Sequence, residues 1–167
     1  MKKIHRLEII APMIFTFVFA CTFIFSYFEP HVEDVTRDYV KAHTGTPGYV
    51  LVDVRAERVY EGKSPREGIP GGHIPGAISF PLSKLKSDTA SEKLSEAGVV
   101  RENTIIVYCN TGADSGRFAD ALIRSLRFSP SRIKNYRGSI MDWIKDPANK
   151  LLPANHETGN YNNRNAK

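Results

Sequence analysis

Cysteine is scarce in this chain of 167 residues, which contains only Cys21 and Cys109. Two cysteines exclude a small scaffold held by several disulfides and a zinc site built from four cysteines. The sequence also lacks any visible internal repeat. Its length allows one ordinary domain with short appendages.

Basic charge is scarce in the part of the chain where a nucleic-acid surface would need it. Of the net charge of +5, residues 1–28 contribute +2, from three basic residues and one acidic residue. Residues 150–167 have the same balance, so only +1 is left for residues 29–149. Nucleic-acid binding uses clustered Lys and Arg with aromatic neighbours. We therefore expect no nucleic-acid partner.

A long apolar run lies near the N-terminus. Residues 9–28 contain no charged side chain, and as a helix they would span about 30 Å, which is one bilayer crossing. Basic residues precede the run and acidic residues follow it. The positive-inside rule then predicts a cytoplasmic N-terminus over residues 1–8 and export of the remainder. We predict a single-pass membrane anchor, with the following domain on the periplasmic or other extracytoplasmic side.

A cleaved signal peptide is the alternative interpretation of this run, because it also combines a charged start with an apolar segment. Small residues at the spacing of a cleavage site are missing near the end of the run. That end holds the bulky side chains Phe23, Ile24, Phe25, Tyr27 and Phe28. An anchor or uncleaved signal is therefore favoured, and Cys21 is interpreted as a lipid-facing or packed residue.

The rest of the chain alternates between patterns typical of buried strands and patterns typical of helices. The strongest strand candidates are residues 49–54 and 104–109, which are short, apolar and rich in β-branched side chains. Shorter strands are predicted at 78–80 and 133–136, and helices around 32–40, 83–97, 117–127 and Trp143. This alternation predicts an α/β domain with a mainly parallel sheet.

We place the folded domain at residues 29–147. After Pro147 the sequence becomes rich in Asn and poor in apolar residues. A segment of this composition cannot bury enough apolar surface to fold. Residues 148–167 are therefore predicted to be a disordered tail.

Cys109 lies where the second strong strand ends, before a segment with Gly112 and Gly116 that leads into a helix. Ligands bind at this position in open α/β sheets. Unpaired N–H groups of the loop and the positive end of the helix dipole favour a thiolate, which is the nucleophilic form of cysteine. The alternative is a buried cysteine that merely ends a hydrophobic strand. The small polar residues after Cys109 favour the reactive interpretation.

Four segments resemble the single-domain rhodaneses, a family of sulfurtransferases, and occur in that family's order. They are LVDVR at 51–55, GHIPGA at 72–77, VYC at 107–109 and YRGSIMDW at 136–143. Each segment alone is weakly specific, but the four together cover nearly all of residues 35–147. The resemblance implies a rhodanese-like three-layer α/β sandwich, with a mainly parallel sheet flanked by helices.

The resemblance also implies a sulfur-transfer reaction in two steps. Cys109 would take the outer sulfur of thiosulfate or a similar sulfane donor to form a persulfide. A thiol, a protein acceptor or cyanide would then remove that sulfur. The active-site loop of the family corresponds to Cys109, Asn110, Thr111, Gly112, Ala113 and Asp114. This chemistry requires neither a metal ion nor an organic cofactor, so we expect none.

Asp114 departs from the family pattern, in which the last loop position is often basic or uncharged. A carboxylate near an anionic donor is unfavourable, and a like charge tends to raise the pKa of a thiolate. Thiosulfate is therefore expected to be a poor substrate. Arg117 either lies near the loop mouth and offsets this charge or is an ordinary solvated helix residue. Ser115 and Arg117 are the candidates for substrate binding, and Arg137 is a candidate for the rim of the pocket.

Several other residues are interpreted as structural. Asp53 and Arg55 are expected to join loops through hydrogen bonds and a salt bridge. His73 is expected to pack in a turn or to bond the backbone, and Trp143 is assigned to the core.

Two alternatives to a sulfurtransferase remain open. A cysteine phosphatase or arsenate reductase needs Arg at the sixth position after its cysteine, for a bidentate grip on the oxyanion, and Ser115 stands there. The alternative from a different class is a membrane-tethered persulfide carrier or binding module without turnover. The sequence favours sulfur transfer through Cys109.

Overall fold

A parallel sheet of five strands forms the centre of the computed structural model, which describes residues 31–153. The strands lie in the order β1-β5-β4-β2-β3, and every neighbouring pair is parallel. Their bounds are β1 Glu33–Asp34, β2 Tyr49–Asp53, β3 Ala77–Ser79, β4 Thr104–Tyr108 and β5 Ile133–Asn135. The predicted parallel α/β sheet is confirmed.

Five α-helices connect or follow these strands. They are α1 Arg37–His43, α2 Glu57–Tyr60, α3 Ala90–Glu96, α4 Ala113–Arg124 and α5 Ser139–Trp143, with 3₁₀ turns at Leu82–Lys86 and Pro130–Arg132. The longest of the helices within residues 31–153, α4, has 12 residues. It buries Phe118, Ala119 and Leu122 on one face, which is the spacing of an amphipathic helix.

The two faces of the central strands bury different sets of side chains. On β4, Ile105 and Val107 pack with the α4 residues Phe118 and Leu122. Ile106 packs on the opposite face, in a cluster with residues of α1 and α5. Because both faces are covered, β2 and β4 are continuously apolar rather than alternating. The arrangement is the three-layer sandwich that the sequence predicts.

The helix boundaries differ from the predicted ones for local reasons. The segment near residue 32 first forms the two-residue strand β1, and α1 begins only after Thr36, whose hydroxyl accepts a hydrogen bond from the N–H of Tyr39 at 3.3 Å. This is an N-cap. The predicted helix at 83–97 is divided into a 3₁₀ turn and α3. Between them, the N–H of Thr89 donates to the Ser87 hydroxyl at 3.3 Å.

The predicted domain boundary at residue 147 is too early. His73 and Leu152 form an antiparallel bridge with two backbone hydrogen bonds of 2.8 Å each. The indole N–H of Trp143 donates to the carbonyl of Lys150 at 3.1 Å, and Leu151 packs against the core. Residues 148–153 therefore continue the domain, because partners distant in sequence satisfy their backbone groups.

Several sequence predictions fall outside the described residues. They concern the cytoplasmic segment 1–8, the anchor at 9–28 with Cys21, and residues 154–167 of the predicted tail.

Across residues 31–153, no helix has both the length and the apolar character needed to cross a bilayer.

Truncation tests the role of the segment after Pro147. A chain that ends at residue 147 should be less stable than one that ends at residue 153, by about 1–3 kcal/mol in unfolding free energy, because it loses the bonds to His73 and Trp143. Urea unfolding followed by circular dichroism measures this difference. Equal stability of the two chains would show that residues 148–153 do not contribute to the folded domain.

Candidate active site around Cys109

The fold places Cys109 directly after β4, at the carboxyl edge of the sheet. The chain leaves β2 towards β3 on one side and leaves β4 towards β5 on the other. The carboxyl ends of β2 and β4 therefore flank a topological switch point, which is where ligands bind in open α/β sheets. Cys109 is only 2% exposed, and it packs in the same cluster as Val107 and the α4 residue Phe118.

The loop after Cys109 turns back onto the sulfur. The N–H of Gly112 donates a hydrogen bond to Cys109 Sγ at 3.1 Å. Gly112 has φ +96°, a left-handed conformation that favours glycine. A Cβ at this position would also collide with the carbonyl oxygen of Arg137 and lie 2.9 Å from Arg137 Cγ. Only glycine lets the loop approach both the sulfur and Arg137.

The residues assigned to the active-site loop by the family resemblance are divided between a loop and a helix. Residues 109–112 connect β4 to α4, whereas Ala113 and Asp114 lie in the first turn of α4. Asn110 is half-buried, and the side chains of Thr111, Ala113 and Asp114 are exposed. The N–H groups of this first turn have no partner within the helix, and the backbone of Ser115 is hydrogen-bonded to Cys109.

Hydrogen bonds to the sulfur outweigh the effect of its burial. Burial by itself raises the pKa of the Cys109 thiol, since it disfavours the charged form. Hydrogen bonds from the backbone and hydroxyl of Ser115, and from the backbones of Thr111 and Gly112, lower it. The net result is a Cys109 pKa below its ordinary value, so the thiolate is more populated near neutral pH than in a free cysteine.

The two predicted substrate-binding residues occupy different environments. Ser115 is fully buried, and its hydroxyl lies 3.2 Å from the Gly112 carbonyl oxygen and within hydrogen-bond reach of the sulfur. Its hydroxyl therefore lies beside Cys109 and the cysteine loop. Arg117 Nη1 lies 3.1 Å from Asp114 Oδ1, and both side chains are exposed, at 74% and 53%. Arg117 is thus a solvated helix residue that also offsets the Asp114 charge.

Ser139 is a site residue that the sequence reasoning missed. Its hydroxyl accepts a hydrogen bond from the N–H of Cys109 at 3.1 Å and lies 3.9 Å from the sulfur. It also donates to the carbonyl of Tyr136 at 2.8 Å. Ser139 is fully buried and has φ +53°, which is uncommon for a residue other than glycine. Its place in the segment YRGSIMDW was the available signal.

The start of α5 fixes the cysteine loop from the other side. The N–H of Ile140 donates to the carbonyl of Cys109 at 3.2 Å, and the N–H of Met141 donates to the carbonyl of Asn110 at 3.1 Å. These two N–H groups belong to the first turn of α5, where they have no partner within the helix. The loop is therefore held between the N-terminal turns of α4 and α5.

A buried ion pair supports the same edge of the sheet. Arg55 Nη2 lies 2.6 Å from Asp53 Oδ2, and neither side chain is more than 2% exposed. The guanidinium also donates to the carbonyl of Gly72 at 2.5 Å and to Asn110 Oδ1 at 3.4 Å. The structural roles predicted for Asp53 and Arg55 are confirmed, and the contact with Asn110 extends them to the cysteine loop.

His73 and Trp143 also have the structural roles predicted for them. The His73 ring stacks on Tyr60 with 3.8 Å between ring centroids, and its Nδ1 lies 3.1 Å from the Tyr60 carbonyl oxygen. Burial lowers the pKa of His73, which favours the neutral ring in this position. Trp143 lies in the core at 6% exposed.

In the part of the chain that the structure describes, no group of three or more His, Cys, Asp or Glu side chains is arranged to hold a metal ion.

The sequence as a whole places this fold and site in a known family. A profile of the Rhodanese-like domain family matches residues 36–146, well over half of the chain. The chain therefore belongs to the rhodanese family.

Individual relatives match parts of the chain. The thiosulfate sulfurtransferase of Azotobacter vinelandii is 28% identical over 121 residues, which cover 67% of this chain and 43% of that protein. The thiosulfate:glutathione sulfurtransferase of Homo sapiens is 28% identical over 114 residues, which cover 60% of this chain and 96% of that protein. The chain thus spans less than half the length of the bacterial relative and nearly all of the human one.

A solved structure shares the fold. The anaerobic ergothioneine biosynthesis enzyme from Chlorobium limicola superposes with a TM-score of 0.66 at 22% identity, over 74% of this chain and 28% of that one. At this identity the likeness establishes a common fold.

Replacement of Ser115 tests the hydrogen bonds that lower the Cys109 pKa. Ser115→Ala removes the hydroxyl but keeps the backbone N–H, so the pKa of Cys109 should rise. Because the thiolate is the reactive form, the pH profile of Cys109 alkylation by iodoacetamide should move to higher pH. Ser95→Ala, an exposed change on α3, is the matched control. An unchanged profile in Ser115→Ala would contradict the assignment.

Proposed function

We propose that this chain is a rhodanese-type sulfurtransferase that transfers sulfane sulfur through a persulfide on Cys109. The observation that carries the proposal is the Cys109 sulfur at the carboxyl edge of the sheet, 3.1 Å from the N–H of Gly112, with its pKa lowered by hydrogen bonds. Relatives named thiosulfate sulfurtransferase and thiosulfate:glutathione sulfurtransferase support thiosulfate or a similar donor and a thiol acceptor, and cyanide is a second acceptor that an assay can use.

In the first step, the Cys109 thiolate attacks the outer sulfur of thiosulfate. A new S–S bond forms to Cys109 Sγ, the S–S bond of thiosulfate breaks, and sulfite leaves with the bonding electron pair. The product is an anionic persulfide. N–H groups from the loop and from the first turn of α4 face this anion and stabilise it by hydrogen bonding and by the helix dipole.

In the second step, an acceptor thiolate or cyanide attacks the outer sulfur of the persulfide. The bond between that sulfur and Cys109 Sγ breaks, and Cys109 leaves as a thiolate, ready for another cycle. A leaving group with a low pKa departs faster. The hydrogen bonds that favour the Cys109 thiolate therefore assist both the attack and the departure.

The environment of Asp114 bears on the choice of donor. Asp114 is exposed in the first turn of α4, and we take this turn and the cysteine loop as the mouth of the site. The Asp114 carboxylate is paired with Arg117, which reduces its repulsion of an incoming anion. Exposed pairs of this kind are weak and are screened by salt. Part of the repulsion therefore remains, and a slow thiosulfate reaction is consistent with the geometry. A persulfide carrier without turnover is the second candidate function, and it is favoured only by this acidic residue.

Mass spectrometry tests the persulfide. Incubation of the full chain with thiosulfate or another sulfane donor should add about 32 Da at Cys109, the mass of one sulfur atom, and cyanide should then remove it. Cys109→Ser should show no gain at this position. Failure of the wild-type chain to take up sulfur from any donor would contradict the proposal.

Two charge reversals on α4 test the effect of Asp114 on the loading of an anionic donor. Asp114→Arg should increase the rate of thiosulfate loading, because it replaces repulsion by attraction at the mouth. Asp120→Arg makes the same charge change at an exposed site further along α4 and serves as the control.

Transfer of the loaded sulfur separates the enzyme from the carrier. A persulfide that loads but is not passed on to cyanide or thiols would favour the carrier.

We further propose that residues 9–28 anchor the chain in a membrane, with a cytoplasmic N-terminus and the rhodanese domain on the extracytoplasmic side. The support comes from the uncharged run and from the charges that flank it. The proposal implies that sulfur transfer takes place outside the cytoplasm.

A reporter fusion tests this topology. A C-terminal reporter that is active only outside the cytoplasm should give a signal with the full chain and lose it when residues 1–28 are removed. The size of the fusion on a blot shows whether the segment is cleaved. A signal from a reporter that works only in the cytoplasm would contradict the proposed orientation.

A further inference from the structure

We propose that Arg137 is a specificity-determining residue that places a positive charge at the mouth of the Cys109 site and favours anionic sulfur donors over neutral ones. The inference rests on the proposed function and names the chemical class of the donor. No loop residue between Cys109 and Gly112 is basic, and Asp114 at the start of α4 is acidic. A cation at this mouth therefore has to come from a different segment.

Strand register brings Arg137 to the cysteine. Val107 of β4 and Asn135 of β5 are paired across the parallel sheet, and the N–H of Tyr136 donates to the Val107 carbonyl at 2.9 Å. Two residues beyond this pair, the segment after β4 reaches Cys109 and the segment after β5 reaches Arg137. The two residues therefore leave the same edge of the sheet side by side.

The stem of Arg137 contacts the residue that holds the sulfur. A Cβ on Gly112 would lie 2.9 Å from Arg137 Cγ and still closer to the Arg137 carbonyl oxygen. The N–H of Gly112 is the group that lies 3.1 Å from Cys109 Sγ. The guanidinium carbon is only three bonds beyond Cγ, so rotation of the outer side chain can bring the charge over the loop.

The guanidinium is held only weakly in its present position. Arg137 Nη1 lies 3.3 Å from Asp34 Oδ2, with the two side chains 76% and 43% exposed. Exposed pairs of this type contribute little. Asp34 also accepts a hydrogen bond from Asn135 Nδ2 at 2.8 Å, so it keeps a partner when Arg137 turns away. An incoming anion can therefore compete for Arg137 without leaving Asp34 unpaired.

The other arginines near the loop are situated differently. Arg55 Nη1 lies 3.4 Å from Asn110 Oδ1, but its side chain is only 2% exposed and its charge is paired with Asp53. Arg117 pairs with Asp114 within the same helix turn, so the two charges largely cancel for a ligand at the site. Arg137 instead follows β5, and its partner Asp34 lies in the neighbouring strand β1. The stem of Arg137 lies against the cysteine loop at Gly112. Its charge is therefore the one that a donor bound over Gly112 would meet.

Competitive alkylation measures the charge at the sulfur without sulfur transfer. In the full chain with Cys21→Ser, Cys109 is the only thiol, and it is treated with iodoacetate, an anion, or with neutral iodoacetamide of nearly the same size. Arg137→Gln should lower the ratio of the iodoacetate rate to the iodoacetamide rate by about threefold at low ionic strength. Asp34→Asn should raise this ratio, because it frees Arg137.

Arg132→Gln is the matched control. Arg132 is an exposed arginine one residue before β5, at the opposite edge of the sheet, where it donates to the carbonyl of Glu102. Its replacement should leave the ratio unchanged. Because Arg137 is exposed, its replacement should also leave the urea unfolding midpoint close to that of the parent chain. An equal ratio in Arg137→Gln and the parent chain would overturn the inference.

Persulfide loading separates this inference from the proposed function. If the parent chain takes up sulfur, Arg137→Gln should load more slowly from thiosulfate, whereas its rate of reaction with neutral iodoacetamide should stay close to that of the parent chain. Equal thiosulfate rates in the two chains would overturn the role of Arg137 and leave the sulfurtransferase proposal intact. Absence of loading in both chains, with the alkylation ratio still lowered in Arg137→Gln, would contradict the sulfurtransferase proposal while supporting the charge placed by Arg137.

Discussion

The buried ion pair between Asp53 and Arg55 connects the segments on which the candidate site depends. Burial of two charges is costly unless they are paired and fully hydrogen-bonded, and here the guanidinium also reaches the carbonyl of Gly72 and the amide oxygen of Asn110. The end of β2, the loop before β3 and the cysteine loop must therefore come together for this charge to be satisfied. Removal of one partner would leave a buried charge, at a cost of about 3–5 kcal/mol.

The cysteine loop lies between the N-terminal ends of α4 and α5, which bond different parts of it. Groups at the start of α4 bond the sulfur and lower its pKa, whereas N–H groups at the start of α5 bond the carbonyls of Cys109 and Asn110. One contact set controls the chemistry and the other controls the position of the backbone. Burial of the sulfur disfavours the thiolate, and the hydrogen bonds from the start of α4 offset this effect. The sulfur is therefore shielded from solvent while its pKa stays below the ordinary value.

Much of the fold could be predicted from local sequence, and the elements that could not be predicted share a physical reason. β2 and β4 were predictable because both faces of a central parallel strand are buried, which makes the run continuously apolar. β1 was not, because a strand of two exposed residues, Glu33 and Asp34, has no pattern of its own and exists through pairing with β5. The ordered structure of residues 148–153 was missed because they were grouped with the Asn-rich segment that follows, although they include Leu151 and Leu152. The bridge from Leu152 to His73 joins segments that are distant along the chain.

The sequence by itself determined that Cys109 lies at the end of a buried strand and that Gly112 follows it in a segment leading into a helix. These are properties of one continuous segment, in which neighbours along the chain set the backbone and its hydrogen bonds. The start of that helix at Ala113, which places Asp114 in its first turn, was not predicted. Only the tertiary structure decided that Ser139 bonds the Cys109 backbone and that Arg137 packs against Gly112. Those contacts join segments some 25–30 residues apart, and they arise because the register between β4 and β5 brings the two strand ends to the same point.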